Sequence, residues 1–190
     1  MPTPTRRHPR LLDRDAAILV VVDVQEAYRA VLHDYERVAR AVATMVRGAA
    51  ALGTPMLFTE QYPKGLGHTV AEVGEHLPSG ATPIEKMSLS CCGDPRFVAE
   101  LERHARHQVI LVGIEAHACM NQTAHDLIAA GYQVHVVRDA TSSRRPEDCA
   151  LGWEKMIAAG IIPASVESAL LELVRSAEAR EFKAIQRLIR

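Results

Sequence analysis

Short apolar runs alternate with amphipathic segments along the chain, and this alternation constrains the fold more than any other feature. The first run, residues 16–22, is continuous and rich in β-branched side chains, as a buried parallel strand should be. Further strands are predicted at residues 56–59, near residue 86, and at residues 108–112, 133–137 and 161–162. Helices are predicted at residues 33–52, 95–106, 118–130, 146–159, 165–174 and 179–190. Asp94 and Ser165 are candidate N-caps. Strands separated by helices indicate right-handed βαβ units around a parallel sheet, which is an open three-layer α/β domain.

The length of 190 residues is typical of one domain, and no internal repeat or linker divides it. We expect a flexible N-terminal arm over residues 1–14 and a single domain over residues 15–190. The arm is basic but lacks the apolar core of a secretory signal, and no apolar run approaches the roughly 20 residues of a membrane span. Because no secretory signal is found and the adjacent Cys91 and Cys92 do not resemble a disulfide framework, we predict a cytoplasmic protein with reduced thiols. The absence of a C-x-x-C pair argues against a zinc ribbon or a thioredoxin-type redox motif.

The charged residues nearly balance: 22 lysines and arginines face 23 aspartates and glutamates, for a formal net charge of −1. A general binder of nucleic acid or of membrane surfaces would show a basic excess, so we expect neither partner. Residues 60–82 are rich in proline and glycine and are predicted to form a long loop. Such a loop inside a compact domain is often functional.

Three residues able to do chemistry follow predicted strands: Asp23, Lys86 and Cys119. In parallel α/β sheets ligands bind beyond the carboxyl ends of the strands, so these side chains are candidates for one site. Cys119 falls in the first turn of a predicted helix, where free N–H groups and a positive partial charge favour a thiolate and could hold an oxyanion. Together the three suggest nucleophilic acyl transfer, with Asp23 taking the thiol proton. Each also has an ordinary interpretation: a structural ion pair, a solvated lysine and a small buried cysteine.

Three segments carry a resemblance to a known family: VVVDVQEAY (20–28), EKMSLSCC (85–92) and GIEAHACMNQTAHDLIAAGYQVHVVRDATSSR (113–144). They resemble the isochorismatase-like cysteine hydrolases, over about residues 15–175. The segments TEQYPKGLG (59–67) and FKAIQRLI (182–189), with the GIEAH form of the turn, are most similar to the isochorismatase-domain-containing branch, whose substrates are poorly defined. The resemblance implies a Rossmann-like three-layer α/β/α fold with a mostly parallel sheet of about five to six strands.

The resemblance also implies a catalytic triad, in which Asp23 matches the family's acid/base, Lys86 its lysine and Cys119 its nucleophile. The expected reaction is amide hydrolysis through a thioester on Cys119. Gln61 and Pro63 stand where nicotinamidases of the family have metal ligands, and neither is a suitable ligand. We therefore expect a metal-independent enzyme without a cofactor. Members that hydrolyse the vinyl ether of isochorismate lack the cysteine, so Cys119 argues against that reaction.

Before the nucleophile the family has a non-proline cis peptide, which here would join Ile114 to Glu115. The resemblance implies that this bond turns backbone N–H groups toward an oxyanion, with Cys119 and Ala118 as the expected donors. Glu115 and His117 flank the turn, and we expect them to hold it rather than to transfer protons.

Two side chains are expected to line the substrate pocket. Tyr28 matches an aromatic position that lines the pocket in the family, and Gln61 could donate a hydrogen bond to a substrate carbonyl. An ordinary half-buried tyrosine and an exposed loop glutamine are the alternatives. Arg144 either pairs with Glu115 or binds an anionic substrate, and the sequence does not decide between the two.

Two other classes of function stay open. The chain could be a catalytically weak oligomeric binding or scaffold protein that retains the family pocket, or a thiol redox sensor that uses Cys119 with Cys91 or Cys92. As an enzyme it is expected to act on a non-peptide C–N bond of a small-molecule substrate. The resemblance further implies a homo-oligomer, a dimer or larger, with the predicted helices at residues 165–174 and 179–190 as candidate contacts.

Overall fold

The computed structural model describes residues 7–78 and 80–190 and is built on a parallel sheet. Its strands are β1 (Ala17–Val22), β2 (Met56–Gln61), β3 (Ile84–Lys86), β4 (Gln108–Ile114), β5 (Gln133–Ser142) and β6 (Ile162–Ala164). They form one six-stranded sheet in the order β3-β2-β1-β4-β5-β6, and every neighbouring pair is parallel. The predicted sheet of five to six strands is confirmed.

Helices cover both faces of the sheet. They are α1 (Tyr35–Leu52), α2 (Pro63–Leu66), α3 (Ala71–Gly74), α4 (Pro95–Arg103), α5 (Asn121–Ala129), α6 (Pro146–Ala159), α7 (Val166–Val174) and α8 (Phe182–Leu188). One apolar cluster joins the sheet to α1, α3, α7 and α8, and a second joins it to α4, α5 and α6. Leu19 and Val21 of β1 face the first cluster while Ile18 and Val20 face the second, because successive strand residues point to opposite faces. The predicted three-layer α/β/α architecture is confirmed.

The strand order reverses at β1. From β1 the chain adds β2 and β3 on one side, and it then returns to add β4, β5 and β6 on the other. In an open parallel sheet this reversal leaves a crevice beyond the carboxyl ends of the two central strands, here β1 and β4. Asp23 directly follows β1, and the segment from Glu115 to Cys119 directly follows β4. The topology therefore places both at the crevice.

Local signals in the sequence give several helix boundaries correctly. The Asp94 carboxylate accepts a hydrogen bond from the Arg96 N–H at 2.9 Å, at the start of α4. Ser165 and Ser168 form a capping box at the start of α7. Helix α6 spans the predicted residues. Side-chain capping and an N-terminal proline act within one helical turn, which is why they can be identified from the sequence.

Residues 60–82 differ from the predicted loop. Strand β2 continues through Gln61, and α2 and α3 form within the segment. Val70 and Val73 are fully buried, and their burial in the core stabilises a helical turn that the glycine and proline content does not predict. The helix predicted from residue 118 begins earlier, because a π-helical turn at Ala116–Met120 precedes α5.

Part of the predicted N-terminal arm lies against the domain. Leu12 is fully buried, and its N–H donates to Glu172 Oε2 at 2.8 Å. Gln108 Nε2 donates to the Leu11 carbonyl oxygen at 3.0 Å. Residues 7–14 therefore contact the domain, whereas residues 1–6 of the predicted arm lie outside the described residues.

Candidate active site

The crevice contains Asp23, Lys86 and Cys119. Asp23 has a left-handed backbone conformation (φ 53°) immediately after β1, Lys86 is the last residue of β3, and Cys119 belongs to the π-helical turn after β4. All three side chains are buried. Lys86 Nζ lies 2.7 Å from Asp23 Oδ2, and the charges of both groups act on the Cys119 thiol. The fold thus brings together three residues that lie far apart in the chain.

The Lys86 ammonium group is surrounded by protein acceptors. These are Asp23 Oδ2 at 2.7 Å, Gln61 Oε1 at 2.8 Å, and the Ser88 and Leu89 carbonyl oxygens at 3.1 Å each. Burial is the largest influence on the pKa of Lys86 and lowers it. The charges of Asp23, Cys91 and Cys119 and the hydrogen bond to Asp23 together outweigh burial, so the net pKa lies above its ordinary value. An ammonium group has three N–H donors, and the protein uses all of them. Lys86 is therefore held as a charged partner of Asp23.

Thr59 is a contact of the site that our sequence reasoning missed. It is buried within β2, in register with Val22, the last residue of β1. Thr59 Oγ1 donates to Asp23 Oδ1 at 2.7 Å, and the Asp23 N–H donates to the Thr59 carbonyl oxygen at 3.2 Å. The sequence offered one signal for Thr59: neighbouring parallel strands present their carboxyl ends at the same edge of a sheet, so polar residues late in β2 are expected near Asp23.

Gln61 contacts Lys86 rather than facing an open pocket. Its Oε1 accepts from Lys86 Nζ, and its Nε2 donates to the Met87 carbonyl oxygen at 2.9 Å. The buried side chain of Gln25, which sequence reasoning also missed, fixes the Gln61 backbone. Gln25 Oε1 accepts from the Gln61 N–H at 2.7 Å, and Gln25 Nε2 donates to the carbonyl oxygens of Gln61 and Gly67 at 3.0 and 2.6 Å. Gln25 therefore fixes the backbone of Gln61, and the side chain of Gln61 accepts a hydrogen bond from Lys86.

The turn before Cys119 has its own ion pair. The peptide bond between Ile114 and Glu115 is cis. Glu115 Oε1 accepts from the N–H and the Nε of Arg144 at 2.9 and 3.1 Å, so Arg144 pairs with Glu115. The Ala118 N–H donates to the Glu115 carbonyl oxygen at 3.0 Å. The expectation that Ala118 is an oxyanion donor is therefore not met, because this N–H is already used within the turn.

The Cys119 thiol is protonated at neutral pH in the resting structure. Burial, and then the charge of Asp23, raise the pKa of Cys119 to about 12, although Lys86 acts in the opposite direction. The start of the helix was expected to favour a thiolate, but loss of hydration disfavours the charged form more strongly. A sulfur nucleophile at this position would need a base to take its proton, and Asp23 is the carboxylate whose charge acts on this thiol.

Tyr28 lies beside the same group of side chains. Burial raises the pKa of Tyr28 to about 12, and the negative charges of Glu115, Cys119 and Asp23 act in the same direction. The phenol is therefore neutral at physiological pH and keeps an O–H donor. That Tyr28 lines a substrate pocket stays a prediction.

No cluster of potential metal ligands is found in the part of the chain that the structure describes. Across residues 7–78 and 80–190, no three histidine, cysteine, aspartate or glutamate side chains cluster closely enough to hold a metal ion. Pro63 is the first residue of α2 and has no donor atom in its side chain. Over the same residues, no helix combines the length and the apolar character that crossing a membrane requires.

Comparison with known proteins places this chain in a family. The Isochorismatase domain matches residues 17–168. The chain belongs to the isochorismatase family. Isochorismatase domain-containing protein 2A of Mus musculus is 40% identical over 177 residues, which are 93% of this chain and 84% of the mouse protein. The resemblance identified from the sequence is confirmed.

Two solved structures are similar to this isochorismatase-family protein. The structure described as the MAR1 ribonuclease of Caenorhabditis elegans has a TM-score of 0.90 and 36% sequence identity, and the match covers 94% of this chain and 92% of that one. YcaC of Escherichia coli, described as an octameric hydrolase of unknown specificity, has a TM-score of 0.87 and 21% identity, with coverage of 94% and 90%. At that identity the YcaC match shows the shared fold alone.

Proposed function

We propose that this isochorismatase-family protein is a metal-independent cysteine hydrolase that cleaves a small, non-peptide amide or a related acyl compound. Family membership supports a hydrolase. The observation that carries the chemistry is the fully buried Lys86–Asp23 ion pair beside the protonated thiol of Cys119. A buried carboxylate next to a thiol provides the general base that a cysteine nucleophile needs.

The first half of the proposed reaction forms a thioester. Asp23 takes the proton of Cys119 Sγ as the sulfur attacks the substrate carbonyl carbon, and the C=O π electrons move to oxygen. We assign the Cys119 N–H as a donor to this oxyanion. When the tetrahedral intermediate collapses, the C–N bond breaks and the amine leaves with the proton that Asp23 took.

The second half releases the acid and restores the thiol. Asp23, again a carboxylate, takes a proton from water as the water oxygen attacks the thioester carbon. Collapse breaks the C–S bond, a carboxylic acid leaves, and Cys119 Sγ recovers the proton from Asp23. Lys86 stays protonated in both halves, because its N–H groups are used by the protein, and it stabilises each negatively charged state by charge alone.

The test combines an amide screen with two cysteine variants. Wild type, Cys119→Ala and Cys149→Ala are incubated with small amides, and the release of ammonia or amine is measured. Cys149 is a half-buried cysteine of α6 and serves as the matched control. We expect Cys119→Ala to lose about 10³-fold or more in kcat and Cys149→Ala to keep wild-type turnover. Amide turnover that survives in Cys119→Ala would exclude the thioester mechanism.

RNA cleavage is the second candidate, because the similar C. elegans structure is described as a ribonuclease. The formal net charge of −1 favours a small substrate, since RNA binders need positive charge along the phosphate backbone. The same three proteins are therefore also incubated with a short single-stranded RNA. Cleavage that Cys119→Ala abolishes, without any amide turnover, would make RNA cleavage the better assignment.

We also propose a homo-oligomer, which the octameric E. coli neighbour supports by analogy of fold. The apolar residues Leu170, Leu173 and Ile185 of the two terminal helices are buried in the chain's own core, so we expect other surfaces to form the contacts. Light scattering tests this proposal, and a monomer would contradict it. An oligomer that shows no amide turnover, and whose Cys119 has the reactivity of an ordinary thiol, would instead favour the binding or scaffold function.

A cytoplasmic location stays a prediction.

A further inference from the structure

Thr59 holds Asp23 at two points. Its Oγ1 donates to Asp23 Oδ1 at 2.7 Å, and its carbonyl oxygen accepts from the Asp23 N–H at 3.2 Å. Asp23 Oδ2 accepts from Lys86 Nζ at 2.7 Å, so donors from two different strands occupy the two carboxylate oxygens. A single contact would leave the carboxylate free to rotate, whereas two contacts on different oxygens fix its plane.

We propose that Thr59 is a positioning residue that holds the Asp23 carboxylate as a base for the Cys119 thiol. This inference rests on the proposed function, because it assumes that Asp23 takes the thiol proton. The Thr59 hydroxyl also stabilises the charged carboxylate, since a hydrogen bond to the ionised form favours that form. Thr59 thus acts through Asp23 and touches no reacting atom of the substrate.

Thr54 offers a matched control for Thr59. It precedes β2 and is also buried, and its Oγ1 has no hydrogen-bond partner among the described residues. On its other side, Thr59 Oγ1 lies 3.8 Å from Cys91 Sγ, which is a weak contact. The short bond to Asp23 is the strong interaction of this hydroxyl.

Four other titratable groups face Asp23 from the elements around it. They are Lys86 of β3, Cys91 in the turn after it, Tyr28 in the turn after β1, and Cys119. Burial raises the pKa of each cysteine and of Tyr28 to about 12, and the pKa of Lys86 lies above its ordinary value. None of the four titrates in acid, so none of them explains a fall in the reactivity of Cys119 at low pH, which we call the acidic limb.

The test measures alkylation of Cys119 by iodoacetamide from about pH 4 to about pH 9, with the modified peptide quantified by mass spectrometry. In Thr59→Val we expect the acidic limb to move up by about one pH unit, because the carboxylate loses a hydrogen bond to its charged form. The plateau rate should fall together with this shift, because a carboxylate held through one oxygen alone is free to rotate away from the thiol. Thr59→Ser, which keeps the hydroxyl, and the control Thr54→Val should both retain the wild-type limb.

Two results would overturn the inference. The first is an acidic limb that Thr59→Val does not move, and the second is an acidic limb that Thr59→Ser moves equally. A lower plateau with the limb in place is what a merely structural role predicts. If Thr59→Val does not fold, as judged by circular dichroism, Thr59→Ala tests the same shift. Failure of the proposed function is distinguishable, because wild-type Cys119 would then show no acidic limb and would react as an ordinary thiol.

Discussion

Two ion pairs of the candidate site, Lys86–Asp23 and Arg144–Glu115, differ in the exposure of the cation. The Lys86–Asp23 pair has an N···O distance of 2.7 Å, with 0% and 1% of the two side chains exposed. The Arg144–Glu115 pair has a distance of 3.1 Å, with 58% of Arg144 and 4% of Glu115 exposed. Both carboxylates are therefore buried, but only one of them faces a cation that has lost its hydration.

We infer from this difference that the first pair supports the proposed chemistry and that the second holds the turn before Cys119. Removing either member of a buried pair leaves an uncompensated charge in a medium of low polarity, so Lys86 and Asp23 depend strongly on each other. Arg144 remains hydrated, and water can replace most of what it contributes. Glu115 also accepts the Arg144 backbone N–H, which would remain without the guanidinium. We therefore expect the two pairs to respond very differently to the loss of their cations.

The largest effect is expected for Lys86→Met. This change leaves the Asp23 carboxylate buried without its cation, and we expect the free energy of unfolding to fall by about 3–5 kcal/mol. Chemical denaturation measures it, with Lys155→Met at an exposed position as the control. A loss below about 1 kcal/mol would mean that the Lys86–Asp23 pair behaves like a surface pair.

Removing both charges should restore part of that stability. In the double variant Asp23→Asn with Lys86→Met neither member of the pair carries a charge, so we expect it to be more stable than Lys86→Met alone by about 1–3 kcal/mol. The difference is again measured by chemical denaturation. Equal stability of the single and double variants would show that lost packing, rather than an unpaired charge, explains the effect of Lys86→Met.

A much smaller effect is expected for Arg144→Ala. The exposed guanidinium contributes about 0–1 kcal/mol to stability, and Glu115 keeps the backbone N–H at position 144. Thermal melts of this variant and of Arg145→Ala, an exposed neighbour, should therefore be similar. A loss of more than about 2 kcal/mol would show that Arg144–Glu115 resembles the buried pair after all.

The smallest effect on stability is expected for the His68–Glu60 pair, whose cation is the most exposed of the three. Glu60 is buried, whereas 80% of the His68 side chain is exposed, and the two lie 3.0 Å apart. The hydrogen bond that His68 donates to the Glu60 carboxylate raises the pKa of His68. A raised pKa in the folded state adds stability below the unfolded value of about 6.5, and this stability is lost as the pH rises through the folded value.

The measurement compares melting temperatures of wild type and His68→Gln at about pH 5.5 and about pH 8.5. We expect wild type to have a small advantage at the lower pH that disappears at the higher one. His107→Gln, whose side chain pairs with no carboxylate among the described residues, should show no such dependence. An advantage for wild type that grows with pH would contradict the assignment.

Much of the fold and the location of the site follow from the sequence. The alternation of apolar and amphipathic segments predicts the parallel sheet, because strand and helix periods are local properties of the chain. The same alternation puts Asp23, Lys86 and Cys119 at strand ends, where the carboxyl edge of a parallel sheet gathers them. The candidate nucleophile, its base and its lysine were therefore identifiable before any distance was known.

Only the tertiary structure decided how these residues behave. The bond from Thr59 to Asp23 and the use of every Lys86 donor by the protein depend on pairings between distant segments. The Cys119 pKa rises because the assembled core removes water from the thiol, which outweighs the helix start that the sequence displays. Local patterns determine which groups reach the edge of the sheet, whereas burial and long-range contacts determine their charge, because dehydration depends on everything packed around a group.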